Sequence, residues 1–178
     1  YIELAGRDRQ NLLSNNIISK DKDMDSAFEE ATRFLFEEKL GLSLEPMPGS
    51  EHPDGLLRFG KSKELFMWDT KSKESTYKFP NDHLNQFKRY IYNSTERVNC
   101  FLVIAPTVSD DAIENTYRLK VESQSDTDVA IVNAEDLKWV AENWKSSNIN
   151  GGFNLEVFNF TGILNRASLK QRMRIFLK

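Results

Sequence analysis

The sequence predicts an α/β fold in which helices flank a mixed β-sheet, with the core order helix, three strands, helix, strand. Two observations support this expectation. Helix-like and strand-like segments alternate in the second half of the chain, which favours parallel strands joined by helices. Residues 64–70 carry apolar side chains on both faces of the expected strand, which is typical of a central strand covered on both sides.

The first half of the chain contains one helix and three strand candidates. Apolar residues recur at helical spacing over about 25–41, and either Asp23 or Asp25 is expected to cap this helix. Gly41 stands where such a helix usually stops. Turn-forming residues between the second and third strand candidates indicate a hairpin. The predicted strands are 42–47, 56–59 and 64–70.

The second half alternates between helices and strands. Residues 98–105 form the clearest buried strand, which Pro106 ends, and 129–132 form a shorter one. Polar residues at the helix starts are the expected caps. The predicted helices cover about 81–92 from Asn81 or Asp82, 109–122 from Ser109 or Asp110, 133–145 from Asn133 or Ala134, and a last helix from Ser168.

The sequence also predicts how the chain is divided into domains. Residues 1–22 are polar with a short apolar group, and we interpret them as an N-terminal arm or linker before a single domain over 23–178. The first residues are mixed in charge, so no signal peptide is expected. Because the chain begins at Tyr1 rather than Met, we expect a piece of a longer protein or a processed chain.

Composition restricts the class of function. With 24 basic and 27 acidic residues, the chain lacks the basic excess of a strong non-specific nucleic-acid binder. A nuclease is not excluded, since a metal site needs carboxylates and another domain can supply DNA affinity. Cys100 is the single cysteine, which excludes an intrachain disulfide and fits a reducing compartment. No apolar run approaches the ~18 residues of a membrane-spanning helix.

Three charged residues, Asp54, Asp69 and Lys71, are the candidates for a metal-binding and catalytic site. Asp69 and Lys71 are two apart in a predicted strand, so both side chains point to the same face of the sheet. Asp54 begins the neighbouring hairpin strand and can reach that face. Two carboxylates close together are costly unless a cation neutralises them, and a hard divalent ion with oxygen ligands is the natural solution. Such an ion can lower the pKa of a bound water and stabilise charge on a phosphoryl oxygen.

Pro53-Asp54 and Asp69-Thr70-Lys71 resemble the motif of the PD-(D/E)xK nuclease superfamily. The other acid-x-Lys triplets, 37–39 and 136–138, lie on predicted helices, where the geometry is wrong. Four longer motifs, Pro53-Asp54-Gly55, Asp69-Thr70-Lys71, Tyr77-Lys78-Phe79-Pro80 and Arg89-Tyr90-Ile91, resemble within that superfamily the FokI-like cleavage domains of type IIS restriction endonucleases. The resemblance covers about residues 25–105 and implies a restriction-endonuclease-like fold.

The resemblance implies roles for the central residues. Asp54, Asp69 and the backbone carbonyl of Thr70 are expected to bind Mg²⁺, with Mn²⁺ as a substitute. Lys71 is expected to position or activate the attacking water. The cleaved strands are expected to end in a 5′-phosphate and a 3′-hydroxyl.

Two further polar residues are implied on the flanking helices. The superfamily often carries a glutamate on the first helix, here Glu29 or Glu30, and the register against Gly41 favours Glu29. A polar residue on the helix after the lysine often assists catalysis, and Gln86 and Lys88 are the candidates. The alternative is that these side chains belong to solvated helix faces.

The expected function is a metal-dependent endonuclease domain that acts on double-stranded DNA with little base specificity. Candidate phosphate contacts are Lys73, Lys78, Lys88 and Arg89, which otherwise form a solvated basic face. The resemblance implies a separate DNA-recognition domain, a transient homodimer for double-strand cleavage, and a cytoplasmic, prokaryotic protein without a membrane partner. The helices at about 109–122 and 134–145 are the candidate dimer surface.

Other interpretations remain open. Asp54 alone is compatible with an ordinary turn aspartate before a glycine, and Asp69 with Lys71 is compatible with a structural ion pair. A repair or defence nuclease of the same superfamily, acting on branched or single-stranded DNA, is the alternative enzyme. A catalytically inactive nuclease-like subunit that serves binding or assembly is the alternative from another class.

Overall fold

A mixed sheet forms the centre of the domain. The structure is a computed structural model that describes residues 1–47, 51–146 and 151–177. In sheet order, the five strands of the described residues are β1 Gly55–Arg58, β2 Leu65–Thr70, β3 Val98–Ala105, β4 Asp128–Asn133 and β5 Gly162–Leu164. β1 runs antiparallel to β2, and the other neighbouring strands are parallel, so the predicted α/β fold with a mixed sheet is confirmed.

Helices cover both faces of this sheet. The helix over Met24–Phe34 continues as a π-helix over Leu35–Lys39. Gly41 follows in a left-handed backbone conformation at φ 68°, which glycine adopts without strain. None of the helices in the described residues is long and apolar enough to cross a bilayer. The α-helices are α1 Ile2–Ala5, α2 Arg9–Ser14, α3 Met24–Phe34, α4 Asn81–Asn93, α5 Ala112–Glu122, α6 Ala134–Asn143 and α7 Arg166–Phe176.

Strand β2 is buried on both faces, as its sequence predicts. Phe66 and Trp68 belong to the hydrophobic cluster that contains residues of α3, α6 and α7. Leu65 and Met67 belong to a second cluster with residues of α4 and α5. Because β2 is held between these two clusters, the polar residues at its carboxyl end start from a fixed backbone.

The N-terminal segment packs into the same core. Leu4, Leu12 and Ile18 are buried in the cluster that contains Phe28 of α3. The Tyr1 hydroxyl lies 2.8 Å from the Thr32 hydroxyl of α3. Residues 1–22 therefore contribute apolar surface to the core of the domain.

The prediction of a first strand over residues 42–47 is wrong. Among the described residues, 41–47 form no strand, and the ladder to β1 is reduced to one backbone hydrogen bond from Glu45 N to Leu56 O, at 2.7 Å. Pro46 has no N–H to donate, so the alternating pattern does not extend into a ladder. The chain therefore enters the sheet at β1, and the core order begins helix, two strands, helix.

Several helix and strand ends also differ from the sequence predictions. Asn165, not Ser168, caps α7, and it accepts a hydrogen bond from Ser168 N at 2.9 Å. Neither Asn81 nor Asp82 caps α4, because the N-cap position is occupied by Pro80, whose side chain cannot accept a hydrogen bond. Asn133 caps α6 as predicted. Strand β5 was not predicted, since its three residues are too few for periodicity to reveal.

Candidate active site

Asp54 lies against the carboxyl end of β2. It directly precedes β1, whose first residue, Gly55, pairs with Trp68 of β2. The Asp54 Oδ2 atom accepts hydrogen bonds from the backbone N–H of Thr70 at 2.6 Å and from its hydroxyl at 2.5 Å. The hairpin therefore brings the carboxylate of Asp54 next to the residue between Asp69 and Lys71, as the sequence spacing predicts.

Glycine is required at position 55 because the Trp68 indole lies directly over its Cα. A Cβ atom added to Gly55 would lie 2.0 Å from the Trp68 ring, which is far closer than atoms pack. The indole also stacks on Phe36 with ring centroids 5.3 Å apart. This close approach of backbone and ring fixes the position of Asp54 relative to β2.

Asp69 and Lys71 form a buried ion pair. The Asp69 side chain is buried, and its Oδ1 atom lies 2.6 Å from Lys71 Nζ. Burial, and then the nearby charge of Asp54, raise the pKa of Asp69 to about 7, against the effect of the Lys71 ammonium.

Gln86 holds the lysine from the side of α4. Its Oε1 atom accepts a hydrogen bond from Lys71 Nζ at 3.2 Å, and its Nε2 atom donates to the Tyr90 hydroxyl at 2.6 Å. Lys71 Nζ also lies 5.2 Å from the centre of the Phe87 ring. Three side chains of one helix thus define where the ammonium group sits.

A surface cavity of about 390 Å³ opens over Asp54, Thr70 and Lys71. Glu29 lines this cavity, whereas Glu30 is not among its lining residues and is exposed. Burial and the charge of Asp54 raise the pKa of Glu29, against the effect of Arg33, whose Nη2 lies 3.5 Å from the carboxylate. The lining residues are Arg7, Asp25, Ser26, Glu29, Asp54, Thr70, Lys71, Ser72, Lys73 and His83.

The donor set of this cavity suits a divalent cation. Asp54 and Asp69 supply carboxylate oxygens, and among the described residues Asp69 forms its ion pair with Lys71 alone. Burial, and then the charge of Asp54, raise the pKa of Asp69, and a cation at these oxygens would favour the charged carboxylates. Within the described residues, no group of three His, Cys, Asp or Glu side chains could hold a metal ion, so a third ligand would have to be another oxygen, such as the Thr70 carbonyl.

The four predicted phosphate contacts are not brought together. Lys73 lines the cavity over Asp54, and Lys78 is exposed on the loop before α4. Lys88 instead pairs with Glu122 of α5 at 2.8 Å, and both Lys88 and Arg89 border a different cavity between the ends of α4 and α5. Of these four residues, only Lys73 thus lines the cavity together with Asp54 and Lys71.

Sequence reasoning missed four residues that line or adjoin the site. Arg7 reaches the cavity from the N-terminal segment, where polar composition suggests only an arm. His83 lines the cavity, and its Nδ1 atom lies 3.0 Å from the hydroxyl of the buried Tyr77. Burial lowers the pKa of His83 to about 4, as do the charges of Lys71 and Lys73. Tyr77 and Tyr90 complete the four, and only their places within family motifs distinguish them in the sequence.

Comparisons with known proteins show the family and the fold of the chain. The family model of the FokI cleavage domain matches residues 1–163. Two solved structures, restriction endonuclease FokI and the same enzyme bound to DNA, each have a TM-score of 0.64 and 20% sequence identity to this chain. Each match covers 80% of this chain and 28% of the FokI chain. No curated protein sequence gives a significant match.

Proposed function

The chain belongs to the FokI cleavage-domain family, and we propose that it is a metal-dependent DNA endonuclease domain that hydrolyses phosphodiester bonds. The observation that carries this proposal is the open cavity lined by Asp54 and Lys71, in which Lys71 is paired with the buried Asp69 and Asp54 is hydrogen-bonded to the residue between them. DNA is the proposed substrate because one of the similar solved structures is FokI bound to DNA. The chain spans only 28% of that enzyme, which leaves room for a separate recognition domain.

The two aspartates and the Thr70 carbonyl would hold Mg²⁺, with Mn²⁺ as a substitute. When bound, such an ion lowers the pKa of water and neutralises charge on a phosphoryl oxygen. Lys71 Nζ donates to the attacking oxygen or to the developing phosphoryl charge, since among the described residues it is the one ammonium in contact with Asp69. Gln86 keeps that ammonium in place through its own contact at 3.2 Å, and Glu29 supplies a further carboxylate at the cavity wall.

Double-strand cleavage is proposed to use a transient homodimer through α5. Three apolar side chains at i, i+4 and i+8 of this helix are exposed: Ile113, Tyr117 and Val121. This stripe supports α5 as the dimer surface. On α6, the ring of Trp139 is covered by Arg166 and Lys170, so α6 is the weaker candidate for the dimer surface.

Plasmid cleavage tests the proposed function. Supercoiled plasmid is incubated with the chain at high concentration and Mg²⁺, beside the variants Asp69→Ala and Lys71→Ala. The unsubstituted chain is expected to nick and linearise the plasmid, and both variants are expected to lose this activity. Lys138→Ala is the matched control, because Lys138 ends the other Asp-x-Lys triplet and pairs with Glu142 on the surface of α6.

Two outcomes would contradict the proposal. Absence of cleavage by a folded, unsubstituted chain would favour the nuclease-like binding or assembly subunit. Unchanged cleavage by the two variants would remove Asp69 and Lys71 from the mechanism. Synthetic junctions and single strands tested beside the plasmid would reveal a repair or defence nuclease with another preferred DNA structure.

A further inference from the structure

The N-terminal segment is docked onto the carboxyl end of β2, where the proposed site lies. The carbonyl of Ala5 accepts a hydrogen bond from the backbone N–H of Lys73 at 2.9 Å. Leu4 and Ala5 are buried in the core, so this contact is anchored by apolar packing on the other side of the segment. Residues that follow Ala5 are therefore held beside the cavity rather than extended into solvent.

Arg7 occupies a strained turn at this point. Its backbone is left-handed, at φ 56°, which costs a residue with a Cβ atom about 1 kcal/mol. The adjacent glycine, Gly6, has an ordinary right-handed backbone, so the strained position carries arginine although a glycine is next to it. Hydrogen bonds from Arg7 N to Leu4 O and from Asp8 N to Glu3 O hold the turn. Strain of this kind is concentrated at functional sites.

The guanidinium group of Arg7 is held from one side only. Its Nη1 atom donates to Asp25 Oδ1 at 2.8 Å and to Ser72 Oγ at 3.0 Å, and Ser72 also hydrogen-bonds to Asp25. Among the described residues, its Nε and Nη2 atoms have no hydrogen-bond partner. The side chain is 26% exposed and lines the cavity over Asp54. An arginine fixed in this way presents planar N–H donors to a bound anion with little loss of freedom.

We propose that Arg7 binds a backbone phosphate of the DNA strand in the cleavage site, with Asp25 and Ser72 as its positioning residues. This inference rests on the proposed function. The cavity is acidic where Glu29 and Asp54 lie, and cationic where Arg7, Lys71 and Lys73 lie. A phosphodiester strand that reaches the carboxylates therefore passes donors that neutralise its charge. The N-terminal segment thereby belongs to the DNA-binding surface of the domain.

The test compares Arg7→Gln with Arg9→Gln in the 178-residue chain. Arg9 is a matched control because it is exposed, pairs with Asp21 at 2.5 Å, and does not line the cavity. Affinity for a short duplex is measured by fluorescence anisotropy at several salt concentrations, with Ca²⁺ in place of Mg²⁺. Each protein–phosphate contact contributes about −0.9 to the slope of log affinity against log salt. Thermal unfolding verifies that each variant is folded.

Arg7→Gln is expected to weaken binding about 10-fold, to lower kcat/KM by a similar factor, and to reduce the salt slope by about one unit. Arg7→Lys retains the positive charge, so it is expected to keep the slope and lose part of the affinity. An unchanged slope in folded Arg7→Gln would overturn the proposal and leave Arg7 as a clamp between the N-terminal segment and α3. If the unsubstituted chain binds DNA but does not cleave it, the proposed function fails while the slope still decides the role of Arg7.

Discussion

Two buried aspartates of this domain begin the same sequence pattern, Asp-x-Lys, and have opposite surroundings. Asp69 is 2% exposed at the end of β2, and Asp136 is 6% exposed in the first turn of α6. The lysines that follow them, Lys71 and Lys138, differ as well. Lys71 contacts its aspartate at 2.6 Å, whereas Lys138 turns away and pairs with Glu142 on the helix surface.

Hydrogen bonding separates the two carboxylates. Asp136 accepts hydrogen bonds from Asn133 Nδ2 at 2.9 Å and from Arg166 Nε at 2.5 Å. Among the described residues, Asp69 forms its ion pair with Lys71 alone, and burial raises the pKa of this carboxyl to about 7. A buried carboxylate with several hydrogen-bond donors stabilises its fold, whereas one that is buried beside a second carboxylate with a single ammonium is a cost that a fold carries for function. This contrast leads to four predictions.

The largest expected effect is on catalysis. Asp69→Asn preserves the shape of the side chain and removes its charge, so kcat for DNA cleavage is expected to fall by about 10³-fold. Asp136→Asn is expected to leave kcat per folded molecule within about twofold, because its carboxylate is bound by Asn133 and Arg166 rather than by Lys71. Single-turnover cleavage assays measure both. Equal losses in the two variants would mean that Asp69 also acts only through the fold.

The second prediction concerns stability. Asp136→Ala leaves the Asn133 amide and the Arg166 guanidinium without their acceptor, and is expected to lower the free energy of unfolding by about 2 kcal/mol. Glu135→Ala is the matched control, since Glu135 is exposed and lies 3.9 Å from the same arginine; its expected change is close to zero. Urea unfolding measures the difference. A loss in the Glu135 variant as large as that of Asp136→Ala would contradict the contrast.

The closeness of Asp54, Asp69 and Lys71 is predictable from the sequence because the signals for it are short in range. The two-residue period of a strand places Asp69 and Lys71 on one face, and a hairpin of few residues places Asp54 beside them. The helical position of the triplet 136–138 is likewise apparent from periodicity. These features depend on local geometry alone.

Long-range packing decides what sequence reasoning missed. Arg7 reaches the cavity only because Leu4 and Ala5 are buried against α3, and nothing in residues 1–9 reveals that docking. The strand predicted over 42–47 fails for a related reason, since a ladder depends on what its neighbour offers and Pro46 cannot donate. Lys88 stands near the site in sequence, yet its helix turns it towards Glu122.

A smaller effect is expected for the residue that holds Lys71. Gln86→Ala removes the acceptor at 3.2 Å from the lysine ammonium, and is expected to lower kcat about 10-fold with little change in KM. Gln171→Ala, at an exposed position of α7, is the control and is expected to have no effect. Steady-state cleavage kinetics separate kcat from KM. A change in KM alone would assign Gln86 to DNA binding rather than to positioning the lysine.

The smallest effect is the pH dependence of stability without metal. The pKa of Asp69 is about 7 in the folded chain and near 4 when unfolded, so the folded state holds an extra proton between these values. Its contribution to the free energy of unfolding is therefore greatest below pH 4 and is lost as the pH rises to 7. The Asp69→Asn variant has no ionisable carboxyl group at this position. In EDTA at pH 8 it is expected to be more stable than the unsubstituted chain by about 1 kcal/mol.

Urea unfolding of both proteins at pH 5 and pH 8 measures this difference, which is expected to increase with pH. Repeating the measurement with Mg²⁺ is the control, because an ion held by Asp54 and Asp69 stabilises only the chain that keeps both carboxylates. Greater stability of the unsubstituted chain in EDTA at pH 8 would mean that the Asp69–Lys71 pair stabilises the fold unaided. Both buried aspartates would then stabilise the fold, and the contrast between them would be limited to their positions.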